Sequence, residues 1–171
     1  MSAAAAMDAS KTEDDVQVAG VAGVVCRSAT TAEDFEQHYA VRHRVFVEEQ
    51  KLFTDSDHDA RDTQADTIHV VGYADSVPAG AVRLFPLDPA AGLWQGDRLA
   101  VLSDFRAHGL GAPLVRYAVA TAGGRGGSRM LAHVQVANVA FFIHLGWSPV
   151  GDVESYIGQP HQRMLIELSR H

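Results

Sequence analysis

Asp97-Arg98-Leu99-Ala100-Val101-Leu102-Ser103-Asp104-Phe105-Arg106-Ala107-His108-Gly109-Leu110-Gly111-Ala112-Pro113 decides how this chain is read. The apolar run from Asp97 to Leu102 reads as a strand. It enters a turn over 103–109 and continues into a helix over 110–122 that is rich in Ala, Leu and Val. Gly109 and Gly111 let the backbone curl tightly and leave nothing in the way of a ligand. The free N–H groups of the first helical turn point at one spot, where the helix dipole favours negative charge. Pro113 suits that turn, because its missing N–H is not needed there. The segment fits a phosphate; the competing reading is a helix entry that uses its glycines for packing alone.

The kind of phosphate ligand is narrowed by what the stretch lacks. A P-loop requires Gly-Lys-Ser/Thr, and Gly111-Ala112-Pro113 has none of it. A dinucleotide fingerprint requires a small residue three beyond the second glycine, but position 114 is Leu. It also expects an acid near the end of the next strand, and residues 130–136 carry none.

Working outward, Val21 to Arg27 reads as a first strand. Thr30 and Thr31 ahead of Glu33 and Asp34 form a capping box for an amphipathic helix over 32–49. An acidic loop follows from Thr54 to Asp66. Strands at 68–74 and 81–86 make a hairpin about a turn at 75–80, and 88–96 is read as loop. Beyond the glycine turn come a strand at 130–136, a short helix at 138–145, and a last pair of strands begun at 146–152 and closed by 162–168. Strand 97–102, helix 110–122 and strand 130–136 form a βαβ unit, so those two strands are expected to be parallel with a right-handed crossover. The fold class is α/β (α+β): a mixed, mostly antiparallel sheet with helices on both faces.

The bulk numbers agree. At 171 residues with 47% hydrophobic and 20% charged, the chain fits one domain with its own core. The Ala-rich, acidic segment 1–20 is expected to be a disordered tail and 21–171 the domain. The segment lacks the basic start and the apolar core of a secretory signal, so a cytoplasmic location is expected. No apolar run approaches a membrane span. The net charge of −7 argues against a nucleic-acid partner. The lone cysteine, Cys26, lies in an apolar stretch and reads as buried and inert.

Arg106, Gly109 and Gly111 resemble the Arg/Gln-x-x-Gly-x-Gly/Ala hallmark of the GNAT superfamily of N-acetyltransferases. Asn138 followed by Phe141-Phe142-Ile143-His144-Leu145-Gly146-Trp147 is similar to that family's Asn…Phe-Tyr-x-x-x-Gly-Phe segment. Val41-Arg42-His43-Arg44-Val45-Phe46-Val47-Glu48-Glu49-Gln50, Asp57, and Gly158-Gln159-Pro160-His161 resemble the ElaA-like branch. The likeness extends to bacterial acetyltransferase domains of nitrilase-linked clusters and spans about residues 22–168. It implies acetyl-CoA as co-substrate and a splayed central pair of parallel strands. The pantetheine would pair with the backbone of Leu99, Ala100 and Val101. The pyrophosphate would rest on Arg106, Ala107, His108, Gly109, Leu110, Gly111 and Ala112, with Asn138 touching the cofactor from the next helix. A homodimer is common in such folds.

The likeness breaks at one point. Many members use a tyrosine of the Phe-Tyr pair to protonate the leaving thiolate, and here that position is Phe142. Other groups must serve. His133 and His161 are candidate bases, since a neutral imidazole needs little tuning to accept a proton near pH 7. Glu49, at the end of the first helix, is a third candidate. Gln135, which shares a strand face with His133, is expected on the acceptor side with Phe142 and His69. A satisfied buried polar pair is the plainer account of His133 and Gln135, and a core hydrogen bond the plainer one for His69. Tyr156 is a further hydroxyl with nothing in the sequence to place it. No metal site is expected: Asp55-Ser56-Asp57-His58-Asp59 begins like a calcium loop, but Ala60 stands where glycine is required and Asp66 where glutamate is.

The function expected is acetyl transfer from acetyl-CoA to a small-molecule amine by direct attack. Two alternatives stay open. One is a longer-chain acyltransferase resembling acyl-homoserine-lactone synthases, although residues 47–55 lack the tryptophan expected of them. The other is a domain that binds acyl-CoA without catalysis.

Overall fold

A computed structural model describes residues 23–169. The expected tail at 1–20 lies outside the described residues, as do the first two residues of the expected strand at 21–27. Strand β1 (Val24–Ser28) leads to helix α1 (Ala32–Arg42), and the chain then widens into a π-helical turn over His43–Glu49. A 3-10 turn at Ala60–Thr63 precedes β2 (Ile68–Ala74), β3 (Val77–Asp88) and β4 (Leu93–Val101). A 3-10 turn at Ser103–His108 opens into α2 (Gly111–Gly124), followed by β5 (Arg129–Gln135) and α3 (Val139–His144). Short strands β6 (Ser148–Pro149) and β7 (Glu154–Tyr156) precede the long β8 (Gln159–Glu167).

The capping box forms as the sequence predicts. Thr31 Oγ1 accepts from the Asp34 amide at 3.1 Å, and Asp34 Oδ2 accepts from the Thr31 amide at 3.2 Å. Every strand pair is antiparallel except β4 with β5, in the order β1-β2-β3-β4-β5-β8-β6 with β7 on β8. One core fills the space between the sheet and α2 and α3; a second, built on Val41, Val45, Phe46, Ala81 and Ala100, lies against α1. The sheet is therefore covered on both faces. Cys26 lies in the first core, where burial pushes its thiol up to about 12. Among the described residues no helix is long and apolar enough to cross a membrane.

Several expected boundaries differ: the closing strand starts at Gln159 rather than 162 and so takes in His161, and two further differences shape the site. The first hairpin turns on Asp75 and Ser76 alone, both with positive φ, so β3 begins at Val77 rather than 81. Pro78 and Gly80 look like turn residues, but Gly80 serves packing. A Cβ there would sit 2.6 Å from the Leu114 side chain and 2.9 Å from that of Leu110. With Gly72, its partner across β2 and β3, it lets α2 lie close on the sheet. The second error is the loop expected at 88–96. A 3-10 turn takes up only Pro89–Ala91, and β4 starts at Leu93. The parallel pairs Leu93↔Arg129, Trp94↔Met130 and Gln95↔Leu131 all fall inside that supposed loop.

Beyond Gln95 the two parallel strands part. Between the pairs Arg83↔Asp97 and Ala81↔Ala100, Arg98 and Leu99 together oppose Val82 alone. That extra residue is a bulge, and Arg98 carries it with φ at 53°. Bulges bend the strand that holds them. Here the bend turns the second half of β4 away from β5, which continues its pairing with β8 through Gln135↔His161.

Candidate active site

A bulge with a non-glycine residue at positive φ is strained and persists only where its surroundings enforce it. Arg98 is held on three sides. Its Nη2 donates to the Asp57 carbonyl at 3.0 Å, it pairs with Asp57 Oδ2 at 3.3 Å, and its guanidinium lies 4.9 Å from the centre of the Phe53 ring. Asp57 is in turn gripped by Arg42, Nε to Oδ2 at 2.7 Å, and Arg42 also reaches Asp62 at 2.7 Å. Arg83 bridges Asp59 at 2.6 Å and Asp97 at 2.7 Å. The acidic loop, which reads as solvated or as a cover for the acceptor, is thus sewn to α1 by Arg42 and to the sheet by Arg83 and Arg98. Burial alone would raise the Asp62 pKa, but the bonds from His69 and Arg42 outweigh it and hold that carboxyl far below the usual range.

Past the bulge a groove runs between the strands. One end lies at the glycine turn, where Arg106, Gly109, Gly111 and Ala112 form the wall with Leu99, Val101 and Asn138. Gly109 has φ at 67°, and a Cβ built on it would meet nothing within 4 Å. No side chain caps the N-terminus of α2. The open space above Gly109 and the uncapped amides together fit an anion such as a pyrophosphate. Ala107 and His108 lie exposed beside this turn. Leu110 belongs to the cradle by its backbone only, since its side chain is buried in the core. Ala100 likewise buries its methyl in the core against α1 and has only backbone to offer. Arg106 bonds Glu49 at 2.8 Å.

The groove shares Gln50, Leu99, Gln135, Asn138 and Phe142 with a cavity of about 160 Å³ at its other end. His133, Gln135 and His161 line that cavity together. The register accounts for this: Gln135 pairs with His161 across β5 and β8, and His133 lies two residues back on the same face. Between the imidazoles stands Tyr156. It stacks on His133 with ring centres 4.2 Å and planes 9° apart, and meets His161 edge-on at 5.3 Å. The Nδ1–H of His161 donates to the Gln159 carbonyl at 2.8 Å, which leaves Nε2 as an acceptor. Burial lowers the His133 pKa and raises that of Tyr156, so both rings hold their neutral forms at pH 7.

The structure places two expected site residues elsewhere. Glu49 lines a separate surface hollow and spends its charge on Arg106. His69 is buried in the ion network, its Nε2–H donating to Asp62 at 3.0 Å, and it does not reach the cavity. Phe142 does line it, with only a ring to contribute. Tyr156, Arg98 and Phe53 are among the cavity residues that sequence reasoning missed. Ile157 and Gly158 both have positive φ and form a two-residue hairpin turn that sets Tyr156 opposite Gln159.

Residues 30–147 match the model of the Acetyltransferase (GNAT) family. The chain belongs to that family. Among relatives of this GNAT chain, the uncharacterized N-acetyltransferase YjcF of Bacillus subtilis is 27% identical over 138 residues, 80% of this chain and 95% of the relative. Among solved structures, Escherichia coli ElaA superposes with a TM-score of 0.73 at 20% identity, covering 83% of this chain and 98% of ElaA. An acyl-CoA N-acyltransferase from Pseudomonas aeruginosa gives 0.70 at 24% identity, covering 83% and 97%. At such identities these two likenesses speak for the GNAT fold, in which the parallel β4–β5 pair is the one break in an otherwise antiparallel sheet.

Proposed function

We propose that this GNAT protein transfers the acyl group of an acyl-CoA, acetyl-CoA being the smallest donor, to the amine of a small molecule by direct attack. One observation carries the reading: a single groove joins the uncapped, glycine-opened start of α2 to the His133–Tyr156–His161 cluster. The first end suits the phosphates of the donor and the second suits proton transfer.

The amine must lose a proton as its nitrogen bonds the thioester carbon, and the carbon–sulfur bond must break. His161 Nε2 is the acceptor for the amine proton, because its other nitrogen is already committed to Gln159. His133 presents a second neutral imidazole on the far side of Tyr156. The Tyr156 hydroxyl, kept protonated by burial, donates to the departing sulfur. That supplies from β7 the proton that Phe142 is unable to give.

An amine panel with acetyl-CoA, read by release of free thiol, tests the reading in full, and titration with CoA tests its first half. Thiol release that depends on a particular amine is the expected result. Failure to bind CoA would remove the donor assignment. Tight CoA binding with no release across the panel would favour a domain that binds without turnover.

A further inference from the structure

The cavity that holds His133 and His161 continues through the sheet. Alternate residues of β5 point to opposite faces, and the cavity is lined by both sets: His133 and Gln135 on one side, Met130 and Ala132 on the other. It passes through the gap that the Arg98 bulge opens between β4 and β5. On the near side the polar groups Asp97, Arg98, His133, Gln135, Tyr156 and His161 stand among apolar ones such as Phe46, Leu52 and Phe53. On the far side they are Val115 and Ala118 of α2, Met130 and Ala132 of β5, Phe142 of α3, and Trp147, none more than 8% exposed. Trp147 Nε1 is the only side-chain nitrogen or oxygen among these six, and it has no hydrogen-bond partner. The small side chains of Ala118 and Ala132 leave the room, and Phe142 brings no hydroxyl to it.

A polar amine gains nothing from such walls, whereas a hydrocarbon is driven into them in proportion to the area it hides from water. We infer that the far half of this cavity is a subsite for the hydrocarbon tail of the acyl donor, which therefore carries a chain longer than acetyl and of at most about six carbons. The inference rests on the acyl-CoA reading above. Volume sets only a ceiling: an apolar cavity on the order of 150 Å³ accepts a benzene-sized guest, and this cavity, near and far halves together, measures about 160 Å³. At the junction of groove and cavity, a thioester has His161 and Tyr156 on one side and the hydrocarbon wall on the other.

Calorimetric titration with CoA, acetyl-CoA, butyryl-CoA, hexanoyl-CoA and decanoyl-CoA tests this without knowledge of the amine. The dissociation constant is expected to fall about fourfold per added methylene as far as hexanoyl-CoA and then to level off. In Ala118→Leu, which fills the far half, hexanoyl-CoA is expected to bind no better than acetyl-CoA. If that variant does not fold, Ala132→Val narrows the same wall and takes its place. A flat series with CoA and acetyl-CoA still bound overturns the subsite and leaves the acyl-CoA reading intact. A gain that survives the filled variant also overturns it, by placing the tail elsewhere. Loss of all binding, CoA included, would instead remove the acyl-CoA reading, and the subsite with it.

Discussion

Two pairs of histidines sit within the molecule, with His38, His69 and His161 buried and His133 half-buried, and their surroundings differ. His38 and His69 lie 4.8 Å apart on the α1 side, and both nitrogens of His38 and Nε2 of His69 are hydrogen-bonded. His38 Nδ1–H donates to the Val70 carbonyl at 2.9 Å, its Nε2 accepts from Arg42 at 3.2 Å, and His69 bonds Asp62. His133 and His161 flank Tyr156 with fewer partners, a ring stack for the first and one backbone bond for the second. Burial is similar for His69 and His161, at 3% and 7% exposure. It is the uncommitted nitrogen in a cavity, rather than burial or residue type, that separates a candidate proton carrier from a structural histidine.

The largest effect is expected where a nitrogen is free. His161→Ala is predicted to lower kcat about 10²-fold or more, with little change in melting temperature, because its one side-chain bond goes to a local carbonyl. His69→Ala is predicted to do the reverse, costing stability through the lost bond to Asp62 and the space left in a buried site while sparing kcat. If His161→Ala instead melts the protein and leaves the rate of the folded fraction intact, the distinction between the two pairs collapses.

Next comes the network. Arg83→Met leaves Asp97 without its guanidinium, and removing one partner of such a buried ion pair costs about 3–5 kcal/mol. Urea unfolding measures this directly. A loss within 1 kcal/mol, on the order of an exposed pair, would mean that the network does not hold the bulge.

These two regions were unequally legible in the sequence. The glycine turn, the parallel pair and the shared face of His133 and Gln135 follow from local pattern, because a strand, a turn and a helix each leave their own spacing. The network did not follow. Its members lie on α1, the acidic loop, β3 and β4, and Arg83 meets Asp59 across 24 positions of chain. A run of aspartates looks the same in sequence whether water or arginine neutralises it. The start of β4 was hidden for a local reason: Gly92 and Gly96 bracket Trp94, and the short alternation between them reads as loop. Tyr156 was hidden because the β7–β8 turn rests on Ile157, a β-branched residue at φ 53° that no turn preference predicts.

A pH scan probes the satisfied pair. Burial, helped by the neighbouring Arg42 charge, pushes the His38 pKa down to about 3, against about 6.5 when unfolded. The unfolded chain therefore binds the extra proton first, and stability is lost as pH falls below about 6.5, reaching about 2 kcal/mol at pH 5. The depressed carboxylates contribute only below their unfolded value of about 4, so the window from 6.5 to 5 reports chiefly on buried histidine. In His38→Gln the slope should flatten. An unchanged slope would assign the titration to another group, His133 being the next candidate because its pKa is also lowered.

The smallest effect is expected at Phe142, and its smallness is informative. If Tyr156 supplies the proton to the leaving sulfur, a second hydroxyl at 142 is redundant, and Phe142→Tyr should change kcat by less than about threefold while Tyr156→Phe lowers it by about 10²-fold. Placing a hydroxyl on the far wall also adds a polar group to a surface whose one other is Trp147 Nε1, so the same variant should weaken hexanoyl-CoA binding relative to acetyl-CoA. The two readouts move independently, since one depends on a proton and the other on apolar area. A large rise in kcat for Phe142→Tyr, with Tyr156→Phe silent, would mean that the cavity lacks an acid as it stands. The free nitrogens of His133 and His161 would then serve binding rather than turnover.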